Sequence, residues 1–195
     1  MRPEKHSRQR YQARPRVLRV PTLHRSPLLL LALLAATLIG LSMHSTSTAS
    51  PALDRVKSID PDEFIVFGPE DYDFAVVVFT DVNCPNCRAL HAALEDYSSW
   101  GIQIRYAAFP VIGDAQERME AVWCSDDRQA ALTAAKRGEE ISAPVCANPV
   151  SEHLAIATEL RFRGTPTLVT LRGRILAGAP EPAALLDLLE EEEEA

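Results

Sequence analysis

The chain has 195 residues, 47% of them apolar, with four cysteines and a formal net charge of −7. That leaves room for one ordinary domain with a buried core plus extra segments; the cysteines are too few for a disulfide-built scaffold, though their even number permits two pairs. Of 20 Lys and Arg and 27 Asp and Glu, eight bases and one acid fall in residues 1–27, leaving 12 against 26, a net −14, in residues 28–195. So acidic a body excludes nucleic-acid binding through phosphate neutralisation, which needs clustered positive charge.

The basic arm, residues 1–27, leads into an uncharged apolar segment, residues 28–43 (LLLLALLAATLIGLSM). As a helix it would span roughly 24 Å, slightly under the ~30 Å hydrocarbon core of a bilayer. The preceding positive charge favours the cytoplasmic side and would send everything after Met43 across. Ser47-Thr48-Ala49 then offers a small-x-small cleavage site before Ser50. A cleavable signal and an uncleaved membrane anchor both fit this pattern. A buried core helix fits less well, because the segment is apolar all round and flanked by unstructured-looking sequence. Either export reading puts the cysteines where disulfides persist. Residues 44–63 read as a linker, residues 64–190 as the folded domain and 191–195 as an acidic tail.

Within the domain, FIVF (Phe64 to Phe67) predicts a short strand and GPEDYD a turn. FAVVVFT, Phe74 to Thr80, is a continuous apolar run, the pattern of a central strand covered on both faces. Cys87, Leu90, Leu94 and Tyr97 then mark a helical stripe ending before Gly101. IQIRYAAFP alternates as a strand stopped by Pro110. Two short helices follow over Ala115 to Cys124 and Asp126 to Arg137, then a loop through Cys146 and a helix from Pro149 to about Arg161. TLVTL and ILAG flank Arg172-Gly173-Arg174 as a hairpin. A last helix could dock Leu185, Leu188 and Leu189. This order predicts an α/β fold, a mixed sheet with helices on both faces and an inserted helical segment between Ala115 and Cys146.

The second strand delivers Cys84 to a helix start, with Pro85 suited to the first helical position. Only a thiolate attacks a disulfide, and an ordinary thiol is mostly protonated at neutral pH. Unpaired N–H groups and the positive end of the helix dipole would stabilise a sulfur anion there. Cys87 lies one turn on along the inward stripe. The asymmetry suggests that Cys84 attacks to form a mixed disulfide, which Cys87 then resolves. Two buried structural thiols would sit more naturally within a strand or helix face than on either side of a proline. A zinc site would need Cys124 and Cys146, or His91 and His153, as further ligands, and these form no second close pair. His91 reads more simply as a surface or half-buried helix residue, and Asp81 as a turn cap.

Cys124 and Cys146 bracket the segment with the weakest periodicity in the domain. As a static disulfide closing a loop of about 23 residues they would stabilise by roughly 3 kcal/mol. The competing reading is a second redox pair, for which 21 intervening residues supply no local preorganisation. In RGTPTLV, Pro166 precedes a strand; a cis bond there would expose the backbone of Thr165 to an extended peptide.

VVFTDVNCPNCRALH, GIQIRYAAFP, AVWCSDD with a second Cys 22 positions after Cys124, and RGTPTLV together resemble a thioredoxin-fold protein. The similarity is closest to the catalytic domain of the DsbC/DsbG periplasmic disulfide isomerases. It covers about Phe64 to Leu189 and does not extend to the N-terminal dimerisation domain of that family. The resemblance implies Cys84 as nucleophile, Cys87 as resolving thiol, Cys124–Cys146 as structural disulfide, and Thr165-Pro166 as a cis-proline substrate-binding loop. It further implies a periplasmic thiol–disulfide oxidoreductase of isomerase or reductase type, acting on cysteine-containing exported proteins. No metal or cofactor is needed, and a DsbD-type membrane reductase would be the electron donor. Pro-Asn stands between the cysteines where the best-known relative has Gly-Tyr. Val78 occupies the position at which thioredoxins carry a buried Asp. The alternatives are a disulfide-donating oxidase and a thioredoxin-like peptide-binding or chaperone module with idle cysteines.

Overall fold

The computed structural model describes residues 50–194. The basic arm, the apolar segment 28–43 and the cleavage site at Ala49 lie outside them. Among the described residues no helix is long and apolar enough to cross a membrane.

Five strands, β1 (Ile65–Phe67), β2 (Phe74–Thr80), β3 (Ile102–Ala108), β4 (Thr167–Thr170) and β5 (Ile175–Ala177), form one sheet in the order β1-β3-β2-β4-β5. β2 and β3 run parallel, with Phe74 opposite Ile102 and Thr80 opposite Ala108, and the other pairings are antiparallel. The mixed α/β sheet matches the expectation from sequence. β2 is central because its apolar run can be buried on both faces. Val76 and Val78 enter one core cluster with Leu90, Tyr97, Met119, Leu132 and Leu185, while Val77 and Phe79 enter another with Val56, Phe109 and Ile156. The period-2 alternation of the strand thus divides one run of residues between two layers.

Seven helices cover the sheet: α1 (Pro51–Lys57), α2 (Pro85–Ala92), α3 (Leu94–Ser99), α4 (Ala115–Trp123), α5 (Arg128–Lys136), α6 (Val150–Glu159) and α7 (Pro182–Glu194). The stripe from Cys87 to Tyr97 is carried by two helices rather than one, because Ala93 leaves helical geometry at φ −95°, ψ 13°. Asp127 caps α5 by accepting the N–H of Ala130 at 2.9 Å, and α4 and α5 make up the helical insertion.

The linker expected over 44–63 needs correction in its second half. Pro51–Lys57 is helical and Ala52, Leu53, Val56 and Ile59 are buried. Their spacing gives a seven-residue helix one apolar face, which covers the Val77 side of β2. Ser50 ties this helix to the β4–β5 turn by donating to the carbonyl of Gly173 at 3.1 Å. Gly173 has φ +90°, and a Cβ there would lie 2.5 Å from that of Ser50, so the turn needs glycine on both counts.

Two buried histidines brace the layers in neutral form. The N–H of Ala108 donates to Nδ1 of His153 at 3.2 Å, which places that ring's proton on Nε2. Glu63 lies 3.7 Å from Nε2, beyond hydrogen-bonding reach, and burial lowers His153 to about 4, so this contact is not a charged pair at neutral pH. His91 bridges Tyr106 at 3.2 Å and Thr133 at 3.0 Å; burial, then Lys136 and Arg137, lower it to about 4. With folded values below the unfolded value of about 6.5, the unfolded chain takes up protons first as pH falls. Stability from these rings is therefore complete above about pH 6.5 and drains away toward pH 4. Urea midpoints measured from pH 7 to 4.5 should fall, with a shallower slope in His153→Gln.

Candidate functional site

β2 ends at Thr80, and the next four residues form the turn that carries the first cysteine. Asp81 organises it: its buried carboxylate accepts the N–H groups of Asn83 at 2.7 Å, Val111 at 2.7 Å and Ile112 at 2.9 Å. The Asn83 amide donates to the Ile112 carbonyl at 2.9 Å, and Arg88 donates to that of Val82 at 2.8 Å. These bonds hold the turn against the segment after β3, so Cys84 is placed by the sheet edge and not by a free loop.

Cys84 is the N-cap residue of α2, and Pro85 occupies the first helical position. Its carbonyl accepts the first bond of the helix, from the N–H of Arg88 at 3.0 Å. Pro85 has no N–H, and the N–H groups of Asn86 and Cys87 have no carbonyl one turn back. An anion on the Cys84 sulfur would therefore lie at the positive end of α2.

Both thiols are reduced and both meet Thr165, whose bond to Pro166 is cis. Cys84 donates to the Thr165 carbonyl at 3.1 Å, and the Cys87 sulfur lies 3.0 Å from the Thr165 hydroxyl. That hydroxyl gives its one proton to the carbonyl of Phe79 at 3.0 Å, so Cys87 is the donor to Thr165. Burial raises the Cys87 thiol, opposed in turn by Lys136 and by hydrogen bonds from Thr165 and Thr80. Cys84 is 4% exposed and Cys87 fully buried. The difference in access expected along the sequence is small in the folded chain, and the sulfurs differ more in their partners.

Cys124 and Cys146 are joined to each other with their Cα atoms 5.7 Å apart. The two further sulfurs that a four-cysteine zinc site would need are spent in that bond. His91 and His153, the other donors considered, are engaged with Tyr106, Thr133 and Ala108. Among the described residues no group of three or more His, Cys, Asp and Glu is arranged to hold a metal.

Sequence reasoning missed Lys136. It is 4% exposed, donates to the Thr80 hydroxyl at 2.8 Å and stands 5.3 Å from the centre of the Tyr106 ring. The available signal was its place in the stripe Leu132, Ala135, Lys136 on the inward face of α5.

A mixed sheet whose central strand feeds a reduced Cys-x-x-Cys pair into a helix, facing a cis-proline loop, defines a thioredoxin-like protein. Residues 61–193 match the thioredoxin-like domain family, and the chain belongs to it. The thiol:disulfide interchange protein DsbC of Escherichia coli (strain K12) is 33% identical over 132 residues, covering 66% of this chain and 56% of its own length. DsbC of Haemophilus influenzae is 38% identical over 145 residues, 71% of this chain and 62% of its own. A disulfide interchange protein from Neisseria gonorrhoeae superposes with a TM-score of 0.61 at 28% identity, covering 68% of this chain and 97% of that one. The chain thus spans somewhat more than half the length of the DsbC relatives it matches.

Proposed function

We propose that the chain is a thiol–disulfide oxidoreductase of isomerase or reductase type, exchanging disulfides with cysteines of other exported proteins through Cys84-Pro-Asn-Cys87. The observation that carries this reading is that one residue, Thr165, contacts both sulfurs at the start of α2. The Cys84 thiolate attacks a substrate disulfide; the new Cys84–substrate bond forms as the old bond breaks, and the leaving sulfur departs with the electron pair. Cys87 then attacks the Cys84 sulfur, closes the Cys84–Cys87 disulfide and releases the reduced substrate. An extended substrate strand lies along the Thr165-Pro166 loop, and Cys124–Cys146 is a structural bridge. Turnover as a reductase requires electrons from outside, for which a DsbD-type membrane reductase is the fitting donor. The periplasm is the compartment that suits both the bridge and the exchange reaction, with residues 28–43 acting either as a tether or as a signal removed near Ala49.

The test is a glutathione redox titration of the folded chain, with alkylation and peptide mass spectrometry scoring each cysteine. Cys84 and Cys87 should oxidise and reduce together at one midpoint while Cys124 and Cys146 stay joined. A Cys84–Cys87 pair that resists oxidation overturns the reading and favours a peptide-binding module.

A further inference from the structure

Lys136 is the one Lys or Arg among the described residues whose side chain is buried. No carboxylate among the described residues lies within ion-pairing distance of it. The Asp81 carboxylate is occupied by three backbone N–H groups, and Lys136 reaches only its carbonyl, at 3.5 Å. An ammonium withdrawn from water without an anionic partner costs stability, so its retention points to an anion formed during function.

The alternation of β2 identifies that anion. Thr80 follows Val78 on the same face of the strand, under α2 and α5, and is itself fully buried. Lys136 donates to the Thr80 oxygen at 2.8 Å, which leaves the hydroxyl's own proton free to be given elsewhere. The buried thiol on that face is Cys87.

We propose that Lys136 positions the Thr80 hydroxyl and supplies the fixed positive charge that makes Cys87 a thiolate when the mixed disulfide is resolved. This rests on the exchange reading above. In the step, the Cys87 thiol loses its proton to solvent, and the resulting thiolate is held by the Thr80 O–H with the Lys136 ammonium behind it. Cys87 bonds to the Cys84 sulfur, the Cys84–substrate bond breaks, and the substrate sulfur leaves with the electron pair and takes a proton from solvent. Lys136 touches no reacting atom and is a positioning residue.

The charged and titratable groups around Lys136 agree with this role. From α2 it faces Cys87 and Arg88, with His91 neutral beside Tyr106; from the end of β2, Asp81 and Cys84; on its own helix, Arg137. Burial pulls the ammonium down to about 8, Cys87, Asp81 and Cys84 oppose this, and Arg88 adds to it. Lys136 is therefore still mostly protonated at pH 7, while the Cys87 thiol is raised by burial and opposed first by Lys136.

Stopped-flow reaction of the reduced full chain, with Cys124–Cys146 intact, with Ellman's reagent separates the two steps. Attack by Cys84 releases the first thionitrobenzoate at a rate that depends on reagent concentration; attack by Cys87 releases the second at a rate that does not. In Lys136→Met the pH midpoint of the second phase should rise by at least about one unit, roughly a tenfold loss of rate at pH 7, with the first phase changed less than about threefold. Should Lys136→Met not fold, Thr80→Val should show the same rise and Thr80→Ser should not. A midpoint unmoved in the folded variant, or equal slowing of both phases, overturns the proposal while leaving the exchange reading intact. Absence of a second phase from the unsubstituted chain overturns both.

Discussion

Cys84→Ser is expected to abolish disulfide exchange, with a rate loss of about a thousandfold or more, because a serine hydroxyl stays protonated near pH 7 and forms no disulfide. Cys87→Ser should fail differently. Its Cys84 can still attack, so substrate should become trapped as a covalent adduct that only external thiol releases. The distinction follows from geometry. Cys84 caps α2 and touches the Thr165 carbonyl at the sheet edge, whereas Cys87 lies beneath it with no exposed surface. Reduction of a protein disulfide under excess glutathione, with mass spectrometry of the reaction mixture, reads both effects at once. Adducts accumulating on Cys84→Ser instead would reverse the two roles. Unchanged function in Cys84→Ser would make the chain a binding module whose thiols are spectators.

Those two roles were readable from Cys-Pro-Asn-Cys because the relevant physics is local. A proline just inside a helix start and an apolar strand before it specify both the turn and the end of the helix that faces the sulfur. β2 was legible for a similar reason: seven consecutive apolar or β-branched residues suit few environments other than a doubly covered strand. The failures were of another kind. α1 is only seven residues long, and its apolar face at Ala52, Leu53 and Val56 means little until β2 and β4 are there to receive it. The break at Ala93 carries no glycine or proline to mark it. Lys136, followed by Arg137, Gly138 and two glutamates, reads as a solvated helix end. Only the packing of α4 and α5 onto the sheet turns that end toward Thr80, a tertiary fact that no periodicity encodes.

Removing the second cysteine pair, as Cys124→Ala with Cys146→Ala, is expected to destabilise the domain by about 3 kcal/mol, the chain entropy returned by opening a loop of this length. For a domain of this size that lowers the melting temperature by about 6–12 °C, measurable by calorimetry. The bridge joins the C-cap of α4 to the irregular stretch before α6, and the loop it closes carries the whole of α5. Its loss should therefore be felt first in α5, as faster amide exchange at Leu132 and Ala135, and only then in the rest of the core. Below its lower transition the variant should still cycle Cys84 and Cys87, because the bridge touches neither; loss of exchange there would mark the second pair as a redox partner. Arg118 sets a bound on the effect. It donates to the carbonyls of Ala135 at 3.1 Å and Glu139 at 3.0 Å, so the end of α5 has a second fastening that does not depend on the disulfide. A cost under about 1 kcal/mol would mean that this fastening and the burial of Leu132 already restrain α5. A cost near 3 kcal/mol would mean that the bridge holds in place the helix that delivers Lys136 to Thr80.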